Sequence, residues 1–337
     1  MRYRLGALAI AIVSLGAAGI AGQAQTTKAK TTASKSTTLR TPWGDPDLQG
    51  TWDNKSITPL ERPRELAGKE FLSPQEAAEL EKKIAAERVD VPPRPGDTGT
   101  YNQYWFDRGT KVEASRRTSL IVDPPDGRMP PLTPEGQKTK AAIAEDLRAH
   151  PFDGPENLDV WDRCITRGLP MFPAAYNNNF HILQVPGYVA ILMEMIHDVR
   201  VIPLDGRPHI PQNIRNWMGD SRGRWDGNTL VVDTTNFNGK TNGRLGGGLT
   251  AGFPGLSEAS HLIERFTRVD GDTILYETTI EDPSYTKPWT ASMSVPKSEG
   301  SMFEYACQEG NYSVPGILAG ARAQEKAAAQ APKKPSN

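Results

Sequence analysis

Apolar and polar residues alternate with a period of two through most of the second half of the chain, as they do in strands with one buried face. The alternating runs come in pairs around short turns. Phe180–Val185 and Tyr188–Ile196 flank Pro186-Gly187, which suits the central positions of a type II turn. Arg222–Trp225 and Thr229–Thr235 flank Asp226-Gly227-Asn228, and His261–Val269 and Thr273–Glu281 flank Asp270-Gly271-Asp272. Val199–Leu204 stops at Asp205-Gly206, and Trp289–Val295 and Phe303–Cys307 complete the series. Upstream, Thr118–Val122 ends at Pro124-Pro125-Asp126-Gly127. Runs of β-branched and aromatic residues broken by Asp-Gly are hairpin signals, so about ten antiparallel strands follow, all but one within 180–307. No βαβ alternation and no repeat of fixed period interrupts them. The expected fold is mainly β, an antiparallel barrel or sandwich of lipocalin-like, calycin-like architecture. Closing or stacking the sheet leaves few bare edges.

Two segments carry helix-start chemistry instead. Ser73-Pro74-Gln75-Glu76 combines an N-cap, a proline at the first helical position and a capping-box acid ahead of Ala77–Arg88. Thr133-Pro134-Glu135 opens a second helix that runs to about His150. Both are polar enough to lie outside a β core.

Composition then narrows the class. With 31 Gly and 28 Pro in 337 residues the chain is rich in turns, yet short of the ~25–30% that marks disorder. The formal net charge of −1 hides an asymmetry: residues 1–40 hold six Lys and Arg and no acid, the last stretch is basic too, and the middle is acidic. An acidic body argues against a nucleic-acid partner, which requires a basic face. Arg2 and Arg4, the apolar run Leu5 to Gly22, and the small residues Gly22 and Ala24 read as a signal peptide over 1–24, cut after Ala24. The run is mostly Ala and Gly, so no integral membrane segment is expected after processing, and the expected location is periplasmic or secreted.

Residues 25–40 and 319–337 are too poor in apolar side chains to offset chain entropy, and are expected to be a disordered linker and a disordered tail. Between them, 41–150 should wrap with its two helices around a β core spanning 151–318, as one folded unit. The two cysteines, Cys164 and Cys307, meet an oxidising compartment and are expected to form a disulfide. A bridged sulfur offers no thiolate for catalysis.

Several phrases resemble an uncharacterised family of exported bacterial β-rich proteins. They are Asp45-Pro46-Asp47-Leu48-Gln49-Gly50-Thr51-Trp52, the run Arg117-Thr118-Ser119-Leu120-Ile121-Val122-Asp123-Pro124-Pro125-Asp126-Gly127-Arg128, and Glu194-Met195-Ile196-His197-Asp198-Val199-Arg200. Gly219-Asp220-Ser221-Arg222-Gly223-Arg224-Trp225-Asp226-Gly227, Glu281-Asp282-Pro283 and Pro288-Trp289-Thr290 extend the resemblance over roughly 45–318. It implies kinship and brings no activity with it. Members often read Cys-His-Glu-Gly-Asn-Tyr where this chain has Cys307-Gln308-Glu309-Gly310-Asn311-Tyr312, so an essential imidazole is not expected there.

Candidate chemistry gathers on the Pro186-Gly187 hairpin. A two-residue loop pairs 185 with 188, 181 with 192 and 179 with 194, placing Asn179, His181, Leu183 and Val185 on one face with Tyr188, Ala190, Leu192 and Glu194. That face is apolar near the turn and polar at its far end, as the floor of a pocket would be. The opposite face, Phe180, Ile182, Val189, Ile191, Met193 and Met195, is core. Three readings compete for the polar end. It is a satisfied hydrogen-bond network. It is an acid–base site, with His181 as proton carrier, Glu194 orienting it and Arg200 stabilising an anion. Or His181, Glu194 and His197 hold a divalent metal, the one cofactor these residue types would admit.

Tyr176, Asn177, Asn179, Tyr188, His197 and Trp289 are the expected ligand contacts. The partner is then a small molecule, either transformed by non-redox acid–base chemistry (lyase, hydrolase or isomerase) or held unaltered. Other features are weaker. Glu281 and Asp282 are adjacent on a strand end, point to opposite faces and suit turn capping better than joint catalysis. Gly219 to Gly223 spells G-x-S-x-G but leads into a hairpin instead of a helix, so a Ser221 nucleophile is not expected. Gly243 to Gly252 lacks the Lys-Ser/Thr of a phosphate loop. Tyr101 to Arg108 packs four aromatics into a staple or a lid.

Overall fold

The computed structural model describes residues 39–88, 106–107, 109–243 and 253–330. The expected signal peptide, nearly all of the linker 25–40, and most of the aromatic stretch 101–108 and the glycine-rich stretch 243–252 lie outside the described residues.

Ten strands follow one another as β1 (Gly50–Asp53), β2 (Ile121–Asp123), β3 (Asn179–Val185), β4 (Tyr188–Met193), β5 (Val199–Pro203), β6 (Asp220–Asp226), β7 (Thr229–Thr235), β8 (His261–Arg268), β9 (Thr273–Glu281) and β10 (Trp289–Pro296). They form two antiparallel sheets, a four-stranded one ordered β1-β3-β4-β5 and a six-stranded one ordered β2-β10-β9-β8-β7-β6. The chain thus runs as two meanders, and a strand from the N-terminal segment covers one outer edge of each. The fold is mainly β, built as two packed sheets, with no closed barrel among the described residues.

The sheets meet along both margins. On one, the Ser298 N–H donates to Thr51 O at 2.9 Å. On the other, β6 comes so close to β5 that a Cβ on Gly223 would lie 2.5 Å from Leu204 Cδ2 and 2.8 Å from Ile202 Cγ2, an approach only glycine permits. The inner faces supply the core, with Trp52, Phe180, Ile182 and Ile191 from one sheet against Phe266, Tyr276, Trp289 and Val295 from the other. The Asp45–Trp52 phrase is a fastening. Gln184, the polar residue on the inner face of β3, accepts from Leu48 N at 2.6 Å and donates to Pro46 O at 3.0 Å. Trp52 is fully buried, with the Arg268 guanidinium 5.3 Å above its ring.

Two expectations are corrected. Phe303–Cys307 is not a strand; β1 supplies the tenth. Its backbone is spent elsewhere, with Phe303 N donating to the Glu194 carboxylate at 3.0 Å and Cys307 N turned back to Tyr305 O. Cys307 is bonded to Cys164, 143 residues away in sequence. The other correction concerns 319–337. Residues Ser313–Gln330 form helix α3, because Ala, Gln, Lys and Glu are strong helix formers and the disulfide tethers the segment just upstream.

The two expected helices are α1 (Pro74–Glu87), whose Ser73–Glu76 capping box is complete, and α2 (Pro134–Ala149). Thr133 Oγ1 caps α2 by accepting from Gly136 N at 3.1 Å, and Thr133 N donates to Ser284 O at 2.9 Å. A Cβ on Gly136 would fall 2.2 Å from Ser284 O. The first turn of α2 is therefore pressed onto the β9–β10 connection, and only a glycine there allows it.

Candidate functional site

The hairpin register is the expected one, with Val185 opposite Tyr188 and His181 opposite Leu192, and Glu194 N donating to Asn179 O at 3.0 Å. Phe180, Ile182, Val189, Ile191, Met193 and Met195 are core. The other face is the outside of the sheet, not a pocket floor. Leu183, Val185 and Tyr188 are 49%, 56% and 38% exposed. Both faces of this hairpin are apolar near the turn, so alternation fixes the period without saying which side meets water.

The three residues expected to be catalytic point in three directions. His181 Nδ1 lies 2.8 Å from Thr51 Oγ1 on the outer surface. Glu194 leaves the strand with φ −62 and ψ −45, and its buried carboxylate accepts from Asn179 Nδ2 at 2.9 Å and Phe303 N at 3.0 Å. Arg200 enters the core from β5, paired with Glu264 and donating to Ser221 Oγ at 2.9 Å and Thr234 Oγ1 at 2.8 Å. Ser221 is buried in this inward-facing network, which disposes of it as a nucleophile. His197 Nδ1 turns to Tyr305 O at 2.9 Å. His181, Glu194 and His197 therefore share no point at which a metal could sit, and no group of three His, Cys, Asp or Glu among the described residues is arranged for one.

Of the expected ligand contacts, His197 and Tyr176 meet at Tyr305 and the others are dispersed. Tyr176 stacks on Tyr305 at 6.5 Å, Asn177 holds a left-handed turn with φ 51, and Tyr188 accepts from Arg207 Nη2 at 3.3 Å. Trp289 is fully buried against Phe172, Phe253 and Tyr285.

A cleft of about 420 Å³ opens elsewhere, where α2 crosses the end of the six-stranded sheet. Its roof is one stripe of α2: Gly136, Thr139, Lys140, Ile143, Ala144 and Leu147 recur at helical spacing. Met129, Pro130, Leu132, Pro254 and Tyr285 line the rest, with Glu61 and Asp282 as the acidic side chains. The expected opposition of Glu281 and Asp282 is realised. Glu281 points outward to His261, while Asp282 faces the cleft and caps its turn through Ser284 N at 2.8 Å.

Electrostatics make this wall quiet. Burial favours the neutral form of Asp282, but hydrogen bonds from Ser257, Ser260 and Ser284 outweigh it and hold the pKa below the ordinary carboxylate value. Tyr285 is pushed up to about 12, first by burial and then by the charges of Asp282 and Glu61. Its hydroxyl finds only the Met129 sulfur, at 3.7 Å. Among the described residues the cleft thus presents apolar surface, a neutral phenol, the satisfied Asp282 carboxylate, Glu61 and Lys140, and no histidine lines it. This surface has the shape to hold a molecule. The signal for it was faint: Ile143 and Leu147 stand four apart on an otherwise polar helix, and their counterparts come from distant segments.

No protein-family description and no curated protein matches the chain. Among solved structures, that of a secretory abundant heat soluble (SAHS) protein from Ramazzottius varieornatus is similar over 42% of this chain and 87% of its own. The identity is 15% and the TM-score 0.23, a likeness too slight to bear on fold or function.

Proposed function

We propose that this is an exported binding protein that takes a compact, largely apolar small molecule into the cleft beneath α2 and does not transform it. The cleft carries the reading. Its volume of about 420 Å³ falls within the ~300–1,000 Å³ of small-molecule sites, and its exposed lining is mostly apolar, with polar side chains such as Glu61, Lys140 and Asp282 around it. Acid–base chemistry on His181, Glu194 and Arg200 loses its support, because a general acid and base must reach one substrate together. Export is favoured by the charged, apolar and small-residue order of the first 24 residues and by the Cys164–Cys307 bridge, of a kind that persists in oxidising compartments.

The test is a titration with prodan, a neutral naphthalene whose emission shifts to the blue in apolar surroundings. A saturable one-to-one shift is expected. Ile143→Trp, which fills the cleft from its roof, should weaken binding about tenfold or more while the melting temperature stays close to the parent's. An absent signal, or one indifferent to Ile143→Trp, rejects the cleft as the site.

A further inference from the structure

The outer face of the six-stranded sheet carries a row of ionisable side chains that the cleft does not use. His209, in the loop 204–219 between β5 and β6, has Nδ1 2.8 Å from Asp220 Oδ2 and Nε2 2.8 Å from Asp233 Oδ1. His261 on β8 has Nε2 2.8 Å from Asp233 Oδ2 and Nδ1 2.9 Å from Glu281 Oε2. Arg222 closes one end, with Nη2 3.1 Å from Asp220 Oδ1. The row reads Arg222, Asp220, His209, Asp233, His261, Glu281, and it ties the loop to four adjacent strands. Other charges on these elements include Arg265, paired with Asp226 and opposite Glu277, Arg224 on β6, Arg207 with Asp205, and Arg215 with Glu258.

A neutral imidazole has one N–H and one lone pair, and a lone pair facing a carboxylate oxygen repels it. Here both nitrogens of both rings face carboxylate oxygens. Each ring thus has an acceptor at both of its nitrogens, an arrangement that an imidazolium satisfies fully and a neutral ring only by half. Two imidazoliums and one guanidinium then balance three carboxylates, with Asp233 shared between the rings.

We propose that this row is a proton-operated latch: with both rings protonated it fastens residues 207–210 to the sheet and steadies the strand ends at His261 and Glu281, and loss of those protons releases both. The side chains are part-exposed, so protons reach them from water. Burial works against the charged His261 ring, but its bonds to Asp233 and Glu281 prevail and hold its pKa above the ordinary 6.5. A ring raised in this way contributes fully below about 6.5 and loses its contribution as pH climbs through the folded value.

The latch has a route to the cleft. Ser260 and Asp282 neighbour His261 and Glu281 on the same strand ends and point to the other side, where Ser260 Oγ donates to the Asp282 carboxylate in the cleft wall. Release of the outer pair therefore loosens the inner one, and ligand affinity falls above the imidazole range. This regulatory part rests on the binding reading above; the latch itself does not.

Amide hydrogen exchange on the full chain at pH 5.5 and 8.0, corrected for intrinsic rates, tests it. The Ile210 amide donates to Asp220 Oδ2 at 3.2 Å and should exchange on the order of tenfold faster at pH 8.0. The Ile214 amide is the control, because its stretch is clasped by the neutral Asn236 side chain. His261→Gln should give the faster rate at both pH values. Ring nitrogen shifts of the unaltered protein provide a check that does not depend on any variant folding: both nitrogens of both rings should carry protons at pH 5.5. Equal corrected rates for Ile210, or a neutral ring at pH 5.5, overturns the latch. A pH-dependent Ile210 with prodan affinity unchanged between the two pH values overturns the regulation and keeps the latch. Absence of prodan binding at either pH rejects the cleft, and the exchange result then judges the latch alone.

Discussion

Two ionic networks lie back to back on the six-stranded sheet. Inside, Arg200 pairs with Glu264, reaches Ser221 and Thr234, and leaves the other Glu264 oxygen to the Tyr276 hydroxyl at 2.8 Å. Outside, Asp220 and Asp233 stand one residue away from Ser221 and Thr234 and serve His209 and His261. The Arg200 and Glu264 side chains are 3% and 0% exposed, those of His209 and His261 27% and 31%. Burial makes the inner pair obligatory. Neither charge has water to fall back on, and one guanidinium nitrogen, Nη1, already lacks a protein partner. The outer row shares its charges with solvent, so each of its bonds is worth less and its protonation follows the medium. One sheet thus uses the same kinds of residue to fix a core on one side and to sense pH on the other.

The largest way to break this contrast is Arg200→Met, which strands a buried carboxylate and should cost about 3–5 kcal/mol in urea denaturation. The curves are read at pH 5.5 and 8.5, and the cost should be larger at the higher pH, because a buried carboxyl without its partner is easier to keep neutral at the lower one. Adding Glu264→Leu should recover most of it; a double variant as weak as the single one would mean that the pair is not an isolated electrostatic unit. Tyr276→Phe comes next, at about 1–2 kcal/mol, since it frees both Met171 N and one Glu264 oxygen. Burial, with Glu264 beside it, holds the Tyr276 pKa well above the ordinary 10.0, so the phenol is neutral from pH 5.5 to 8.5 and its removal takes away no titrating group in that range. The smallest effect belongs to the outer row. His261→Gln should cost about 1 kcal/mol or less at pH 5.5 after solvent screening, and close to nothing at pH 8.5, measured by the same denaturation curves. A cost that falls with pH in the Arg200→Met series, or one that does not fall in the His261→Gln series, would erase the distinction between the faces.

The sequence made the periodic parts of this molecule legible and the non-local ones obscure. The β3–β4 register could be counted from Pro186-Gly187 because a two-residue loop leaves no freedom, and α1 could be placed from Ser73 and Glu76 because the capping box is a local bond pair. The sidedness of that hairpin could not. Leu183, Val185, Val199 and Val201 are apolar on the wet face, so hydrophobicity did not separate outside from inside. His261 and Glu281 face each other across the Asp270-Gly271-Asp272 hairpin, and counting outward from that turn would have found them. Asp233 joins them only through the β7–β8 pairing, across a long stretch of sequence, and His209 comes from a loop with no period at all. The cleft is more distant still, assembled from Met129, α2, Pro254 and Tyr285.

The seating of α2 has a consequence for ligand choice. Gly136 fixes its first turn against Ser284, whereas past its far end the chain is met by Arg322 of α3, whose guanidinium reaches Phe152 O at 2.8 Å on the surface. Sixteen residues make a lever roughly 24 Å long. A pivot of about 10° at the first turn lifts the other end by about 4 Å, close to the thickness of a flat hydrocarbon ring, and scarcely moves Gly136. The closest approach of α2 to the sheet is therefore where Ser284 and Tyr285 close the cleft. On the binding reading proposed above, the part of a ligand lying beside Tyr285 is the part this seating would select most strictly.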